Sequence, residues 1–339
     1  MDKARFGLVG TGNITGWWLA GAREDGRFTA DAICSRTRER GNEFAKEHGI
    51  GRVFTSLEEM AADSGIDAVY IASPNSEHCR QAIACMERGK AVMCEKPLAS
   101  NLREARMMAD CARSNNVLLM EAMIATINPN FAELRRRLPE LGKLRRYFAS
   151  YCQYSSRYDR YKQGELPNAF NPELSNGAVM DIGIYTIYPM VALFGAPQSI
   201  QASGVKLDSG VDGQGTVTFK YQGMDASVIY SKIANSFLPT EIEGENGNIE
   251  ADAIHTIRRL TMIPRPVANS GRGGTVKRND ITVALLHDVY YYEVNHFIDL
   301  LQSGSKESPV NSLANSLETI RIIDEIRRQL GVSFPADRG

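Results

Sequence analysis

Short apolar segments alternate with amphipathic segments over the first 120 residues, and this order restricts the fold more than any other feature. The apolar segments, each about one strand long, span residues 5–10, 29–34, 67–72, 91–94 and 117–120. Periodic apolar faces predict helices at about 13–24, 37–48, 75–88 and 101–114. Strands that are apolar almost throughout are typical of a parallel sheet covered by helices on both faces. The pattern therefore predicts a doubly wound α/β domain over residues 1–121.

The rest of the chain, residues 122–339, follows a different pattern. Polar and apolar residues alternate over 213–221 and again over 226–232, which predicts a hairpin with one solvated face. A second hairpin is predicted over 241–251, with its tight turn at Asn246 and Gly247. Apolar residues at helical spacing predict a C-terminal amphipathic helix: Leu313, Leu317, Ile320, Ile323, Ile326 and Leu330. We therefore expect a C-terminal α+β domain with an open, mostly antiparallel sheet.

Composition and charge exclude several classes of function. The 339 residues suffice for two domains, and 39 basic against 40 acidic residues give a net charge of −1. Such a chain has no strong field for nucleic acid or an anionic membrane. It contains no run of about 18 uncharged apolar residues, and its first residues lack the apolar region of a signal peptide. We therefore predict neither nucleic acid nor membrane as a partner.

The cysteines and histidines indicate the compartment and argue against a metal. Six cysteines occur without CxxC spacing, several of them inside apolar segments, which suits buried thiols in a reducing cytoplasm. Five scattered histidines show no HxxxH or HExxH arrangement. The sequence therefore predicts a cytoplasmic protein without a metal site.

A glycine-rich turn joins the first predicted strand to the first helix. Residues 10–16 read GTGNITG, so Gly10 can form the tight turn and Gly12 can let the backbone approach a pyrophosphate. The following helix begins near Asn13 and Ile14, where free N–H groups favour an anion. Thr15 stands where the usual motif has Gly or Ala, and the glycines could instead simply end the strand. We expect Gly10, Gly12, Asn13 and Ile14 to bind a dinucleotide in a Rossmann domain.

The second strand ends in Ser35 and Arg36 rather than in an acidic residue. NAD-binding domains usually place Asp or Glu there to accept from the ribose 2′-hydroxyl, whereas a hydroxyl and a guanidinium suit a 2′-phosphate. The alternative is a solvated basic turn that opens the next helix. Ser35 and Arg36 therefore predict NADP as the cofactor in preference to NAD.

Two later strands also end in polar residues. Ligands of doubly wound sheets lie at the carboxyl ends of the strands, so Ser73, Pro74, Asn75 and His78 are expected to border the nicotinamide half of the cofactor. Asn75 could equally cap the following helix, and His78 could serve in packing. The next strand ends in the triplet 95–97, Glu-Lys-Pro. Its charged pair could be a surface ion pair, but a lysine at a ligand-lined edge can stabilise a developing alkoxide.

Three motifs together resemble the glucose–fructose oxidoreductase/inositol dehydrogenase family over nearly the whole chain: the glycine turn, Glu95-Lys96-Pro97 and Asp181-x-Gly183-x-Tyr185. The last motif is most similar to the branch with dimeric dihydrodiol dehydrogenase and NADP-dependent D-xylose dehydrogenase. Inositol dehydrogenase-like members carry His where this chain has Tyr185. The resemblance implies a Rossmann domain with Glu95 and Lys96 at the cofactor, and a substrate domain that also forms the oligomer.

The resemblance also implies the catalytic roles. Lys96 matches the family's catalytic lysine, Tyr185 the residue that donates and accepts the hydroxyl proton, and Asp181 an acid beside the substrate. An ammonium next to Tyr185 would favour its phenolate and ease proton exchange. The implied activity is hydride transfer between NADP and a hydroxyl or carbonyl of a sugar or polyol, by a homodimer or homotetramer.

The chain departs from the branch pattern in two places. Ile124 and Thr126 replace an aromatic and an arginine residue, and residues 175–177 read SNG where a triple glycine is usual. The tyrosine-rich segment 147–161 could supply sugar-binding groups, or it could form a dimer surface or an ordinary strand. Two other functions remain open: a non-catalytic NADP-binding regulator, and a glycoside-processing enzyme that retains its cofactor and oxidises transiently.

Overall fold

The computed structural model describes residues 3–265 and 277–338. Its first sheet has six parallel strands in the order β3-β2-β1-β4-β5-β6. They are β1 Ala4–Val9, β2 Phe28–Cys34, β3 Arg52–Phe54, β4 Ala68–Ile71, β5 Ala91–Glu95 and β6 Leu119–Ala122. We call the edge where these strands end the carboxyl edge and the opposite one the amino edge. The strand order reverses between β1 and β4, which is where ligands of such sheets bind.

Five helices connect these strands: α1 Asn13–Ala22, α2 Arg38–His48, α3 Leu57–Ala62, α4 His78–Met86 and α5 Leu102–Ser114. Three of them begin at a side-chain cap, supplied by Thr37, Ser56 and Asn101. The five predicted strands and four predicted helices are confirmed within a few residues. The prediction omitted β3 and α3, because β3 has only three residues and all of them are half-buried.

The second sheet has eight strands in the order β14-β13-β12-β11-β7-β10-β9-β8. They are β7 Leu144–Cys152, β8 Ser199–Lys206, β9 Asp212–Tyr221, β10 Met224–Ser231, β11 Thr240–Gly244, β12 Gly247–Ala251, β13 Leu260–Pro264 and β14 Asn279–Asp280. Both predicted hairpins are present, as β9–β10 and β11–β12. The sheet is mixed, because β7 and β10 run parallel at its centre while the other pairs are antiparallel.

The turn of the second hairpin lies one residue earlier than predicted. Gly244 pairs with Gly247, so the central residues are Glu245 and Asn246. The backbone N–H of Asn246 donates to Leu141 O at 2.9 Å. A Cβ at Gly247 would lie 2.5 Å from Ile263 O, so close packing against β13 explains this glycine.

Six more helices follow: α6 Ile124–Ile127, α7 Pro129–Arg137, α8 Tyr158–Lys162, α9 Ile184–Phe194, α10 Val289–Ser303 and α11 Leu313–Leu330. The predicted C-terminal helix is α11, which packs against α9 and returns to α5. Helix α10 packs against α1, where Phe297 joins Phe6 and Trp18 in an aromatic core. Helices α10 and α11 thus pack against helices of the first domain, α1 and α5.

One helical segment, Pro172–Phe194, is long and apolar enough to cross a membrane. However, 72% of its most apolar 18-residue window is buried inside the protein. It contains α9, which contacts β7, β10 and α11. We therefore interpret it as a core helix whose apolar faces pack against the protein.

Candidate active site

The glycine turn forms an open cradle at the carboxyl edge. Gly10 has φ +102°, and a Cβ there would lie 2.5 Å from Ala72 O, so only glycine fits. A Cβ at Gly12 would meet no atom within 4 Å, which leaves space above the start of α1. The Oγ1 of Thr15 donates to Gly10 O at 2.9 Å, which explains the departure from Gly or Ala. Asn13 is exposed and Ile14 half-buried, and the first turn of α1 carries no acid, so the cradle fits a pyrophosphate.

Basic side chains surround the end of β2. Ser35 is buried, and its N–H donates to Phe54 O at 3.0 Å, whereas Arg36 is exposed. Arg40, which the sequence prediction did not include, reaches back to Thr11 O at 3.2 Å. This side of the cradle therefore offers a hydroxyl and guanidinium groups, the donors that suit a 2′-phosphate.

The turn after β4 joins the two halves of the chain. The amide of Asn75 donates to Ser175 O at 2.9 Å and to Asn176 Oδ1 at 3.2 Å, so Asn75 does not cap the following helix. The Oγ of Ser73 donates to Gln81 Oε1 at 2.7 Å, and Pro74 starts the short helical turn. These contacts hold the turn after β4 against the segment that leads to Asp181.

His78 is fully buried and lies between two turns of the carboxyl edge. Its Nδ1 is 2.9 Å from Pro97 O, and its Nε2 is 3.0 Å from Ser73 O. Burial lowers the pKa of His78, while the two carbonyl groups act in the opposite direction. Because both ring nitrogens contact backbone, His78 acts on the site by fixing these turns.

Glu95 lies at the end of β5 and is 8% exposed. It accepts a hydrogen bond from Tyr70 Oη at 2.6 Å, and burial raises its pKa while the neighbouring Lys96 lowers it. Lys96 points instead toward the second part of the chain. Its Nζ donates to Asp181 O at 2.7 Å and to Asp181 Oδ1 at 3.2 Å. Burial lowers the pKa of Lys96, and the acids Glu95 and Glu121 oppose this shift.

Asp181 lies in a turn of π-helix, Val179–Gly183, directly before α9. The N–H of Val179 donates to the buried Asp212 Oδ2 at 2.8 Å, which satisfies a free donor at this helix start. A Cβ at Gly183 would lie 3.0 Å from the Tyr230 ring, so this glycine permits close packing on β10. The π-turn and α9 thus present Asp181 and Tyr185 at the same cleft as Lys96.

Tyr185 lies beneath Lys96, whose Nζ is 4.8 Å from the centre of the tyrosine ring. Tyr151 packs edge-on against Tyr185 at 5.8 Å and stacks on His255 at 3.9 Å. Burial, followed by Glu95, raises the pKa of Tyr185 well above its usual value. The expectation that the lysine favours a phenolate is therefore wrong for these residues, because the ammonium faces the ring, and burial together with Glu95 opposes ionisation of the hydroxyl. Tyr185 is a neutral phenol.

Sequence reasoning missed several residues of this cleft. Lys232, the last residue of the predicted strand 226–232, places its ammonium on Asp181 Oδ2. Tyr151 belongs to the tyrosine-rich segment, but nothing in the pattern singled out His255, which lies in a loop. Thr126 is buried and donates to Asn311 Oδ1 at 2.5 Å, so this departure from the branch pattern serves packing.

The first sheet and the second part of the chain therefore meet at Lys96, Asp181 and Tyr185. An ammonium, a carboxylate and a neutral phenol lie together at the carboxyl edge, the same edge that carries the glycine cradle. Such a set can orient a hydroxyl group and exchange its proton. Among residues 3–265 and 277–338, no cluster of three potential metal ligands occurs.

Comparison with known proteins agrees with this geometry. Residues 4–123 match the model of an oxidoreductase family with an NAD-binding Rossmann fold, and residues 132–250 match the GFO/IDH/MocA C-terminal domain. The scyllo-inositol 2-dehydrogenase (NADP(+)) IolU of Bacillus subtilis is 46% identical over 334 residues, covering 98% of this chain and 99% of that protein.

More distant relatives share the same architecture. The mouse trans-1,2-dihydrobenzene-1,2-diol dehydrogenase is 30% identical, covering 98% of this chain and 99% of that protein. A levoglucosan dehydrogenase solved with NADH and levoglucosan superposes with a TM-score of 0.84 at 20% identity, covering 97% of each chain. The chain belongs to the glucose–fructose oxidoreductase/inositol dehydrogenase/MocA family of oxidoreductases.

Proposed function

We propose that this protein is an NADP-dependent dehydrogenase that oxidises a secondary hydroxyl of a cyclic polyol or sugar and reduces the corresponding ketone. Lys96, Asp181 and Tyr185, which meet across the cleft beside the glycine cradle, carry the proposal. The 46% identical relative is named as an NADP(+) dehydrogenase of scyllo-inositol, which supports this cofactor and substrate class. Residues 1–121 would hold the cofactor and residues 122–339 most of the substrate.

The chain's own residues account for the proton transfer. When bound, NADP supplies the hydride acceptor or donor. Tyr185 Oη exchanges the proton of the reacting hydroxyl; its raised pKa keeps it protonated, which is the form that donates in the reductive direction. The Lys96 ammonium donates to the reacting oxygen and stabilises negative charge that develops there. Asp181 holds Lys96 and accepts from a substrate hydroxyl.

The cofactor preference follows from the basic side of the cradle. Ser35 and Arg36 would hold the 2′-phosphate, and Arg40 lies beside them. Replacing Arg36 with Asp should weaken NADP binding and favour NAD, because the carboxylate repels phosphate and accepts from a ribose hydroxyl. Measuring kcat/KM for both cofactors tests the assignment; a wild-type preference for NAD would contradict it.

A substrate screen tests the activity itself. Purified protein is incubated with NADP+ and a panel of inositol isomers, aldoses and anhydrosugars, or with NADPH and the corresponding ketones, and nicotinamide absorbance is followed. We expect scyllo-inositol or a close cyclic polyol to give the highest kcat/KM. Absence of an absorbance change across the panel, in both reaction directions, would count against the proposed function.

The assembly and the compartment are proposals of the same kind. One face of the eight-stranded sheet carries the exposed side chains of β9, including Thr216, Thr218 and Lys220, and a partner copy would cover it. We propose a homodimer or homotetramer, to be tested by light scattering coupled to size exclusion. The six cysteines are free, which supports a cytoplasmic location.

A further inference from the structure

Lys232 directly follows β10, and its ammonium is buried in the active-site cleft. Its side chain is 5% exposed and contacts Asp181 Oδ2. The backbone fixes this position on both sides, because Lys232 N donates to Gly213 O at 2.9 Å and Ser155 N donates to Lys232 O at 2.8 Å. The second sheet therefore positions the Lys232 ammonium next to Asp181 in the candidate site.

Asp181 is shared between two ammonium groups. Lys96 contacts its Oδ1 and its carbonyl oxygen, while Lys232 contacts Oδ2. The side chains of Asp181, Lys96 and Lys232 are 34%, 13% and 5% exposed, respectively. A substrate hydroxyl can thus reach Asp181 and Lys96, whereas Lys232 lies behind the carboxylate.

The surroundings of Lys232 make burial of its ammonium group energetically unfavourable, which argues against a purely structural role. Its ammonium lies 5.6 Å from the Phe170 ring, with Lys96 and Arg157 as the nearby positive groups. Burial, followed by Lys96 and Arg157, lowers the pKa of Lys232 to about 7. A buried ammonium beside a second one is unfavourable unless a carboxylate holds both.

We propose that Lys232 is a positioning residue of the reaction: it holds Asp181 Oδ2, so that Oδ1 remains for Lys96 and the substrate. Without this contact Asp181 can rotate and bind Lys96 with both oxygens, which turns the ammonium away from the reacting hydroxyl. This inference rests on the proposed function of Lys96 and Asp181.

Three variants test the role in turnover: Lys232→Met, which removes the charge; Lys232→Arg, which keeps it; and Lys90→Met, which removes another buried ammonium. The substrate is the best polyol of the panel. We expect Lys232→Met to lower kcat by about 10- to 100-fold, because misplacement near 1 Å costs about that much. The Kd for NADP should stay within about twofold, since Lys232 contacts Asp181 and not the residues expected to hold the cofactor. Lys232→Arg should recover most of the loss, and Lys90→Met should keep kcat.

A double-mutant cycle tests whether Lys232 acts through Asp181. In an Asp181→Asn background, Lys232→Met should change kcat by less than about twofold, because the contact it supports is already lost. The same loss factor in both backgrounds would overturn the proposal, and so would wild-type kcat in Lys232→Met. Equal impairment of Lys232→Met and Lys232→Arg would also overturn it.

The same double-mutant cycle can be measured by urea unfolding instead of by enzyme kinetics. This second measurement tests the Lys232–Asp181 contact independently of the proposed function. Failure of the whole substrate panel counts against the proposed function alone. In that case the urea midpoints of the single and double variants decide: non-additive shifts support the Lys232–Asp181 contact, and additive shifts overturn it.

Discussion

Two buried lysines flank β5, and they differ in what their ammonium groups contact. Lys90, at the amino edge, donates to Asp63 O at 2.7 Å and Ile66 O at 2.8 Å, both backbone carbonyls of the segment between α3 and β4. Lys96, at the carboxyl edge, donates across the cleft to Asp181. Burial lowers the pKa of both. Burial alone therefore does not identify a functional lysine; a partner on a separate part of the chain does.

The largest expected effect comes from exchanging these two lysines for Met. Lys96→Met should lower kcat by about 1,000-fold, because the donor to the developing alkoxide is lost. Lys90→Met should leave kcat within about twofold but lower the free energy of unfolding by about 1–3 kcal/mol, because two carbonyls lose their donor. Steady-state kinetics and urea unfolding of both variants measure this; comparable kinetic losses would refute the contrast.

Tyr185→Phe tests the phenol on the other side of the cleft. Without Oη the reacting hydroxyl has no proton partner, so kcat should fall by about 100-fold or more with NADP affinity kept. Tyr221→Phe is the matched control, because Tyr221 is also a buried tyrosine, and its Oη donates to the backbone carbonyl of Gly195 at 3.0 Å. Near-normal turnover by Tyr185→Phe would assign proton transfer to another group.

The buried carboxyl group of Glu121 makes the stability of the carboxyl edge depend on pH. Burial raises its pKa from 4.5 to about 7, while Leu98 N donates to its Oε1 at 2.9 Å. The folded protein thus binds more protons at Glu121 than the unfolded chain between these values, so the contribution of Glu121 to stability is fully present below pH ~4.5 and is lost as pH rises through about 7. The loss should approach roughly 3 kcal/mol at pH 8.

Glu121→Gln removes this pH dependence. The difference in unfolding free energy between variant and wild type should increase from pH 5 to pH 8, as measured by urea denaturation. Glu173→Gln, at an exposed carboxylate, serves as the control. A wild-type curve parallel to that of Glu121→Gln would show that Glu121 does not change its protonation in this range.

The smallest expected effects are those of alanine substitutions at the two glycines of the cradle, Gly12 and Gly10, which should differ in their effect on stability. Gly12→Ala should raise the Kd for NADP about tenfold with little change in stability, because its Cβ enters only the space for the pyrophosphate. Gly10→Ala should also destabilise the fold by about 1–3 kcal/mol, because of the positive φ and the contact with Ala72 O. Calorimetric titration and thermal unfolding distinguish the two effects.

The sequence predicted the first sheet well because both faces of its strands are buried, which leaves long apolar segments. It also predicted the glycine turn, since the position of Gly10 between strand and helix has few alternatives. The mixed order of the second sheet was not predictable, because the parallel pairing of β7 with β10 joins segments far apart in the chain. Alternation shows which residues share a face, but not which strand lies beside it.

In the candidate site, too, some residues were predictable from the sequence and others were not. The motifs predicted Lys96, Asp181 and Tyr185, and the structure brings these three together. Lys232 and His255 carry no local pattern, because their importance depends on contacts between distant segments. The pKa of Tyr185 was mispredicted for a related reason: proximity to Lys96 was expected, but the ammonium faces the ring, and burial, followed by Glu95, raises the pKa.

The π-turn at Val179–Gly183 has a consequence for how such enzymes diverge. A π-turn carries one residue more than the regular helix would need, so removing a single codon there can restore an ordinary α-helix. If the lost residue lies between Asp181 and Tyr185, these two are then three residues apart instead of four, and their relative direction around the helix axis changes by about 100°. One short deletion could abolish turnover and spare the nucleotide cradle, and would convert an enzyme of this architecture into a cofactor-binding protein.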